Sequence, residues 1–82
     1  MEKIAVIGAV LSHPETTQVL FNQTVAAYKN LIKGRMGIPF DKEDTAVIAI
    51  TLQGGLDEIN ALTGKLGKIE GVSVKTAISD SL

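Results

Sequence analysis

The side chains in this chain that offer chemistry are few, and they do not form an evident catalytic set. His13 is the only histidine, and in the sequence Glu15 is the only acidic residue near it. One imidazole supplies a single ligand, whereas a zinc site usually needs three or four. The pattern therefore favours an exposed residue at a helix start over a ligand-binding group at an oligomer interface, and it predicts no metal site.

Three basic residues are predicted to share one face of a sheet. Lys33 and Arg35 alternate along one strand, and Lys75 lies on another. They would form either an anion or nucleic-acid site or a solvated rim around an apolar interface. No aromatic side chains are interleaved with them and the formal net charge is -1, so the rim is favoured and direct nucleic-acid binding is not expected.

The composition excludes several classes of chemistry. The chain has no cysteine, which removes disulfides, thiolate metal sites and a thiol nucleophile. Ser12 and Ser73 have no base with which to form a nucleophilic pair. The Gly54-Gly55 pair and the Gly34/Gly37 spacing do not follow the phosphate-loop pattern. The sequence therefore predicts no catalytic residue, and it identifies no cofactor.

The alternation of apolar segments and turn residues predicts a βαββαβ order. Ser12 and Glu15 have the spacing of a capping box at the start of the first helix, which is expected to reach about Lys29. This order predicts an α+β ferredoxin-like sandwich, a four-stranded antiparallel sheet with two helices on one face, as a single domain over residues 1–82. The predicted strands are 3–11, 31–38, 45–52 and 71–78, and the second helix is 56–67.

The apolar positions also predict which side chains are buried. Leu20, Phe21 and Val25 begin the stripe of the first helix, and alternate residues of the third and fourth strands face the core. The first strand is apolar on both faces, so parity leaves open which face meets the helices. Segments 39–44 and 53–55 are predicted to be turns that end the second and third strands.

The sheet face without helices is predicted to carry apolar side chains. A chain of 82 residues buries only about 60% of its unfolded surface, so its core is thin. An exposed apolar face often marks an interface, and we expect a homodimer or homotetramer. The apolar run Ile4–Leu11 is too short for a membrane span or a secretion signal, which predicts a cytoplasmic protein with no membrane contact.

Nearly the whole chain resembles a family of small bacterial proteins described as regulators of the iron-only hydrogenase system. The resemblance is carried by four segments, of which the central one is the most distinctive. They are Ala5-Val6-Ile7-Gly8, Gly34-Arg35-Met36-Gly37-Ile38-Pro39-Phe40, the helix Asp57–Gly67, and Gly71-Val72-Ser73-Val74-Lys75.

This resemblance implies a fold of the ACT type, similar to the C-terminal domain of the nickel-responsive repressor. ACT-type domains associate through sheets or edges and often bind small effectors where they meet. By this likeness an effector site would lie near Gly8, Ser12 and His13. The chain lacks the ribbon-helix-helix half of that repressor and its His and Cys ligands, so neither DNA binding nor nickel sensing carries over.

Two hypotheses for function follow. In the first, the chain is a self-associating regulatory module that senses a small effector in control of the iron-only hydrogenase system. In the second, it is an accessory module that docks on the hydrogenase or its maturation machinery without binding a ligand or DNA itself. A direct DNA-binding role and an enzymatic role rank below both.

Overall fold

The computed structural model describes residues 2–40 and 44–80 and has the predicted order of elements. All strand pairs are antiparallel in a four-stranded sheet of order β2-β3-β1-β4, so the ferredoxin-like architecture is confirmed. The elements are β1 (Glu2–Ser12), α1 (Pro14–Ala26), a 3₁₀ turn (Lys29–Leu31), β2 (Ile32–Phe40), β3 (Thr45–Gly55), α2 (Leu56–Gly67) and β4 (Val72–Ile78).

One core lies between the sheet and the two helices. The central strand β1 directs Ala5, Ile7, Ala9 and Leu11 toward the helices, which answers the question that parity left open. The helix α1 contributes Phe21 and Val25. The other fully buried side chains from β3 and α2 are Ile48, Ile50, Leu52, Ile59, Leu62 and Leu66.

Leu20 is not part of this core, contrary to the prediction from helical spacing. Its side chain is 54% exposed, whereas Phe21 is fully buried. Neighbouring residues on a helix point about 100° apart, so α1 cannot direct both toward the sheet. The helix also ends at Ala26, earlier than predicted. A 3₁₀ turn then follows and carries Leu31 into the core.

The start of α1 differs from the predicted capping box. Ser12 is the last residue of β1, and the N-cap position belongs to His13, which makes no side-chain capping hydrogen bond. His13 has a left-handed backbone with φ 53°. The chain therefore passes from strand to helix through one left-handed residue, with Pro14 at the first helical position, where its missing N–H is not needed.

The strands β2 and β3 continue through residues that were predicted to end them. Pro39 is tolerated because β2 is an edge strand, and it pairs with Ala46. Segment 53–55 pairs with the start of β1. A Cβ at Gly54 would lie 2.5 Å from Cδ2 of Leu31, so this glycine makes room for a core side chain. Of the predicted turn 39–44, residues 41–43 lie outside the described part.

A break in the β2–β3 register changes the faces of β2. Ile32 pairs with Leu52, but Gly34 pairs with Thr51, which leaves Lys33 as the extra residue of a bulge. Ile32 therefore lies on the helix side, while Gly34 lies on the opposite face. Simple alternation would place these two residues on one face, but it does not hold across a bulge.

Within residues 2–40 and 44–80, neither helix has the length and apolar character needed to cross a membrane.

Gly71 is a position where only glycine fits well. Its φ is +87°, and a Cβ there would lie 2.9 Å from Cγ2 of Thr17. We expect Gly71→Ala to lower the free energy of unfolding by about 2 kcal/mol, measured by urea denaturation. Gly64→Ala is the matched control: its Cβ would meet nothing within 4 Å, and it should raise stability by up to about 1 kcal/mol. Equal effects at both positions would contradict this account.

Candidate functional site

The turn between β1 and α1 is held by hydrogen bonds to two distant segments. The Ser12 N–H donates to the Gly71 carbonyl at 2.8 Å, which ties the end of β1 to the residue before β4. The Thr17 hydroxyl donates back to the Ser12 carbonyl at 3.0 Å. The His13 N–H donates to the Asp44 carbonyl at 2.9 Å. The backbone of the turn is therefore fixed from outside as well as by the helix.

His13 and Asp44 form a contact that the sequence did not predict. Both have positive φ, 53° and 46°. Nδ1 of His13 shares a hydrogen bond of 2.5 Å with Oδ2 of Asp44. Glu15 is the only acidic residue near His13 along the sequence, but Asp44 is also near it in space. Asp44 is 31 positions away and comes close through the pairing of β1 with β3.

Glu15 completes a group of three possible metal ligands. One donor atom each from His13, Glu15 and Asp44 lies within 4.8 Å of the others, and all three residues are exposed. Glu15 belongs to the first turn of α1, where the helix dipole favours a carboxylate. Among the described residues no Lys or Arg forms an ion pair with Glu15 or Asp44. The group thus offers one nitrogen and two carboxylate ligands to solvent.

Gly8 lies apart from Ser12 and His13, although all three were predicted to contribute to one effector site. It sits in the middle of β1, on the face without helices, between Ala49 and Lys75. An extended strand rises about 3.3 Å per residue, so Gly8 is roughly 16 Å from His13. Ser12 and His13 remain together at the turn, and a ligand that touches Gly8 as well would have to extend along the strand.

The three basic residues do not share a face. Lys75 lies on the face without helices, beside Gly8. Arg35 lies on the helix side, where Nη2 donates to Oδ1 of Asn22 at 3.0 Å and the guanidinium lies 5.9 Å from the ring centroid of Phe21. The prediction of one common face is therefore wrong, because the bulge at Lys33 sets the phase of β2. A common anion site is not formed by this set.

The sheet surface opposite the helices, which we call the open face, is apolar. Its side chains come in cross-strand rows, such as Ile38–Val47–Val10 and Met36–Ala49–Gly8. Two polar residues of β4, Ser73 and Lys75, lie along one edge of it. The large apolar side chains that it exposes are Ile4 (41%), Val6 (44%), Val10 (45%), Met36 (61%), Ile38 (46%) and Phe40 (46%).

Two shallow cavities occur among the described residues. One, of about 260 Å³, lies beside Gln18 of α1 and strands β2 and β3. The other, of about 220 Å³, lies between α1 and the segment Ile69–Glu70. Both are smaller than the roughly 300 Å³ of typical small-molecule pockets. Neither of these two cavities is lined by Gly8, Ser12 or His13.

Comparison with known proteins identifies a family and a close structural relative. The model of the TM1266-like family, described as "Iron-only hydrogenase system regulator, putative", matches residues 3–76. The structure of the uncharacterized protein TM1266 from Thermotoga maritima is similar with a TM-score of 0.91 and 32% identity. The match covers 95% of this chain and 98% of that one.

A more distant structure shares only the fold. The C-terminal domain of the MgtC protein from Mycobacterium tuberculosis has a TM-score of 0.74 and 13% identity, over 95% of this chain and 88% of that one. No curated protein matches this chain closely enough to indicate a relationship.

The position of Arg35 predicts a structural contribution. We expect Arg35→Ala to lower the free energy of unfolding by about 1 kcal/mol, because it removes a hydrogen bond and a cation–π contact at a partly solvated site. Lys33→Ala should change it by less than about 0.5 kcal/mol, since Lys33 makes no side-chain hydrogen bond or ion pair to the described residues. Urea denaturation of both variants tests this; similar losses would contradict it.

Proposed function

This chain belongs to the TM1266-like family, and we propose that it is a self-associating, non-catalytic regulatory module of the iron-only hydrogenase system that senses a small effector. The observation that carries the self-association is the apolar open face. The family description supports the regulatory role. The effector would bind at the turn between β1 and α1.

The open face has the composition of an interface. Three of its large apolar side chains come from the central strand β1 and three from the edge strand β2. Between these strands lie the half-buried Val47 and Ala49 of β3. Among the described residues of these three strands, Glu2 is the one charged side chain in register with the open face, and it lies at the end of β1 beside Gln53. A continuous apolar surface of this kind is unusual on a monomer.

The size of the open face is sufficient for a second copy. Four strands about 4.8 Å apart and nine residues of about 3.3 Å give a projected area of roughly 570 Å². Stable interfaces begin at about 600 Å² of accessible surface per partner, and the accessible area of a corrugated sheet exceeds its projection. The same surface on a second copy would match it by twofold symmetry, as in most small homodimers.

The free energy gained by burying the open face in a dimer is close to the free-energy cost of association. Burying a whole aliphatic side chain is worth about 1.5–3 kcal/mol, so each half-exposed side chain of the open face has about 1 kcal/mol left to gain. Twelve such side chains in two copies give on the order of 10 kcal/mol, whereas association costs about 4–15 kcal/mol. The proposed dimer therefore needs the whole face, and a single buried charge would suffice to separate it.

The turn lies where an effector would influence association. Ser12 pairs with Thr45, which pairs in turn with Phe40, so the outermost row of the open face begins at the turn. A ligand at Ser12 and His13 would therefore lie next to the margin of the proposed interface. This adjacency supports a role in sensing, since binding there would favour whichever association state best accommodates the ligand.

The alternative function uses the same surface for a different occupant. An accessory module would present the open face to the hydrogenase or its maturation machinery, and the chain alone would then be a monomer. The association state of the purified protein therefore separates the two proposals.

We expect the purified chain to be a dimer, or a tetramer built from dimers, in analytical ultracentrifugation and native mass spectrometry. Val10→Lys places a charge on an inner strand of the open face, in the apolar row Ile38–Val47–Val10, and should weaken association at least a hundredfold, because burying an ion costs several kcal/mol. Val19→Lys is the matched control, since Val19 is 56% exposed on α1 and away from the sheet. It should leave the dimer intact.

Thermal unfolding of both variants checks that they are folded. A wild-type monomer would contradict self-association and leave the accessory role. A Val10→Lys variant that associates like the wild type would show that the chain assembles through another surface.

A further inference from the structure

We propose that His13, Glu15 and Asp44 form a binding site for one divalent transition-metal ion, and that this ion is the effector of the turn. The identification as effector rests on the regulatory function proposed above, whereas the binding site rests only on the geometry of these three side chains. The site joins the start of α1 to the start of β3, two segments 31 positions apart that the chain brings together through its sheet.

The donor atoms are already close to the spacing that a metal requires. They lie within 4.8 Å of one another. Zinc binds nitrogen and carboxylate oxygen at about 2.0–2.2 Å, so donors around one ion lie roughly 3–4 Å apart. The side chains of His13 and Asp44 are 71% and 51% exposed. They can therefore rotate by the small amount needed to bring the donor atoms to this spacing. Solvent has direct access, and water completes the coordination.

The charge of the group also favours a cation. Glu15 and Asp44 bring two carboxylates to one place, and no Lys or Arg within residues 2–40 and 44–80 forms an ion pair with either. Like charges at this spacing repel, and a divalent ion replaces this repulsion with attraction to both. A bound ion would replace the hydrogen bond between Nδ1 of His13 and Oδ2 of Asp44, and the imidazole would coordinate it through Nδ1 with its proton on Nε2.

The type of donor selects the class of ion. Magnesium and calcium bind through oxygen, whereas an imidazole ligand suits zinc, copper, iron and nickel. The presence of His13 therefore distinguishes this group from an ordinary pair of surface carboxylates. The backbone hydrogen bond from His13 to Asp44 holds the two segments together. Much of the entropy loss of bringing the ligands together has therefore already occurred when the chain folds.

The test uses the full chain without a histidine tag and zinc chloride as the probe. Isothermal titration calorimetry should show one zinc ion bound per chain, and magnesium chloride should give no signal at the same concentration. His13→Asn and Asp44→Asn should each weaken zinc binding at least tenfold. Asparagine tolerates the left-handed backbone of both positions, so these variants remove a ligand without disturbing the turn.

The third ligand has a matched control in the other helix. Glu15→Gln should also weaken zinc binding, whereas Asp57→Asn should not. Asp57 is an exposed carboxylate in the first turn of α2 and does not belong to the group formed by His13, Glu15 and Asp44. Thermal unfolding without zinc confirms that each variant is folded. Zinc should raise the melting temperature of the wild type and of Asp57→Asn but not of His13→Asn.

Two results would overturn the site: no zinc binding by the wild type, or binding by His13→Asn as tight as by the wild type. Sedimentation with and without zinc tests the effector role separately. A dimer whose association zinc does not change, with zinc bound at the turn, would keep the site and reject the ion as effector. A monomer that binds zinc would keep the site and reject the proposed self-association.

Discussion

The central strand β1 is hydrogen-bonded along both edges, and the rest of the structure depends on this pairing. Its register with β3 runs from Glu2–Gly55 to Ser12–Thr45, and β4 occupies its other edge. This register places Ile7 and Ile50 side by side under the helices. Both helices pack their buried apolar residues against that face. A slip of one residue would reverse every side chain of β1.

The same alternation that builds the core leaves the open face apolar. The helices cover one side of the sheet, and the described chain has no further element with which to cover the other. Val6 and Val10 are therefore exposed on β1, one of the two inner strands of the sheet. A domain of this size buries a smaller fraction of its surface on folding than a larger domain does, so burying the open face in an assembly would add substantially to its stability. The proposed self-association would complete a second layer, since a second copy has the same apolar surface.

The turn and the open face are linked through the ends of β1 and β3. The last pair of this ladder is Ser12 with Thr45, and the next residues, His13 and Asp44, adopt left-handed backbones and hydrogen-bond to each other. Any ligand held by these two residues connects the two central strands at the point where the ladder ends. The proposed sensor and the proposed interface are thus neighbouring parts of one pair of strands.

Arg35 shows how one irregularity separates residues that look alike in sequence. It has the same charge as Lys33 and Lys75, yet it lies against Phe21 and Asn22 on the helix side. The extra residue in β2 places it there. These three positive charges therefore lie at a helix-side contact, in a bulge and along one edge of the open face. This arrangement argues against a single anion site.

The amino-acid sequence was sufficient to predict the order of elements, the ferredoxin-like class and the apolar character of both sheet faces, because hydrophobic periodicity is a local property. It also predicted α2 correctly, since Ile59, Leu62 and Leu66 recur on one helical face. The three-dimensional fold was needed to establish which face of β1 is buried, how far β2 and β3 extend, and that Arg35 and Lys75 lie on opposite sides. It also decided that Asp44 meets His13. These outcomes depend on strand register and on a bulge, which arise from contacts between residues far apart in the chain and leave no local pattern in the sequence.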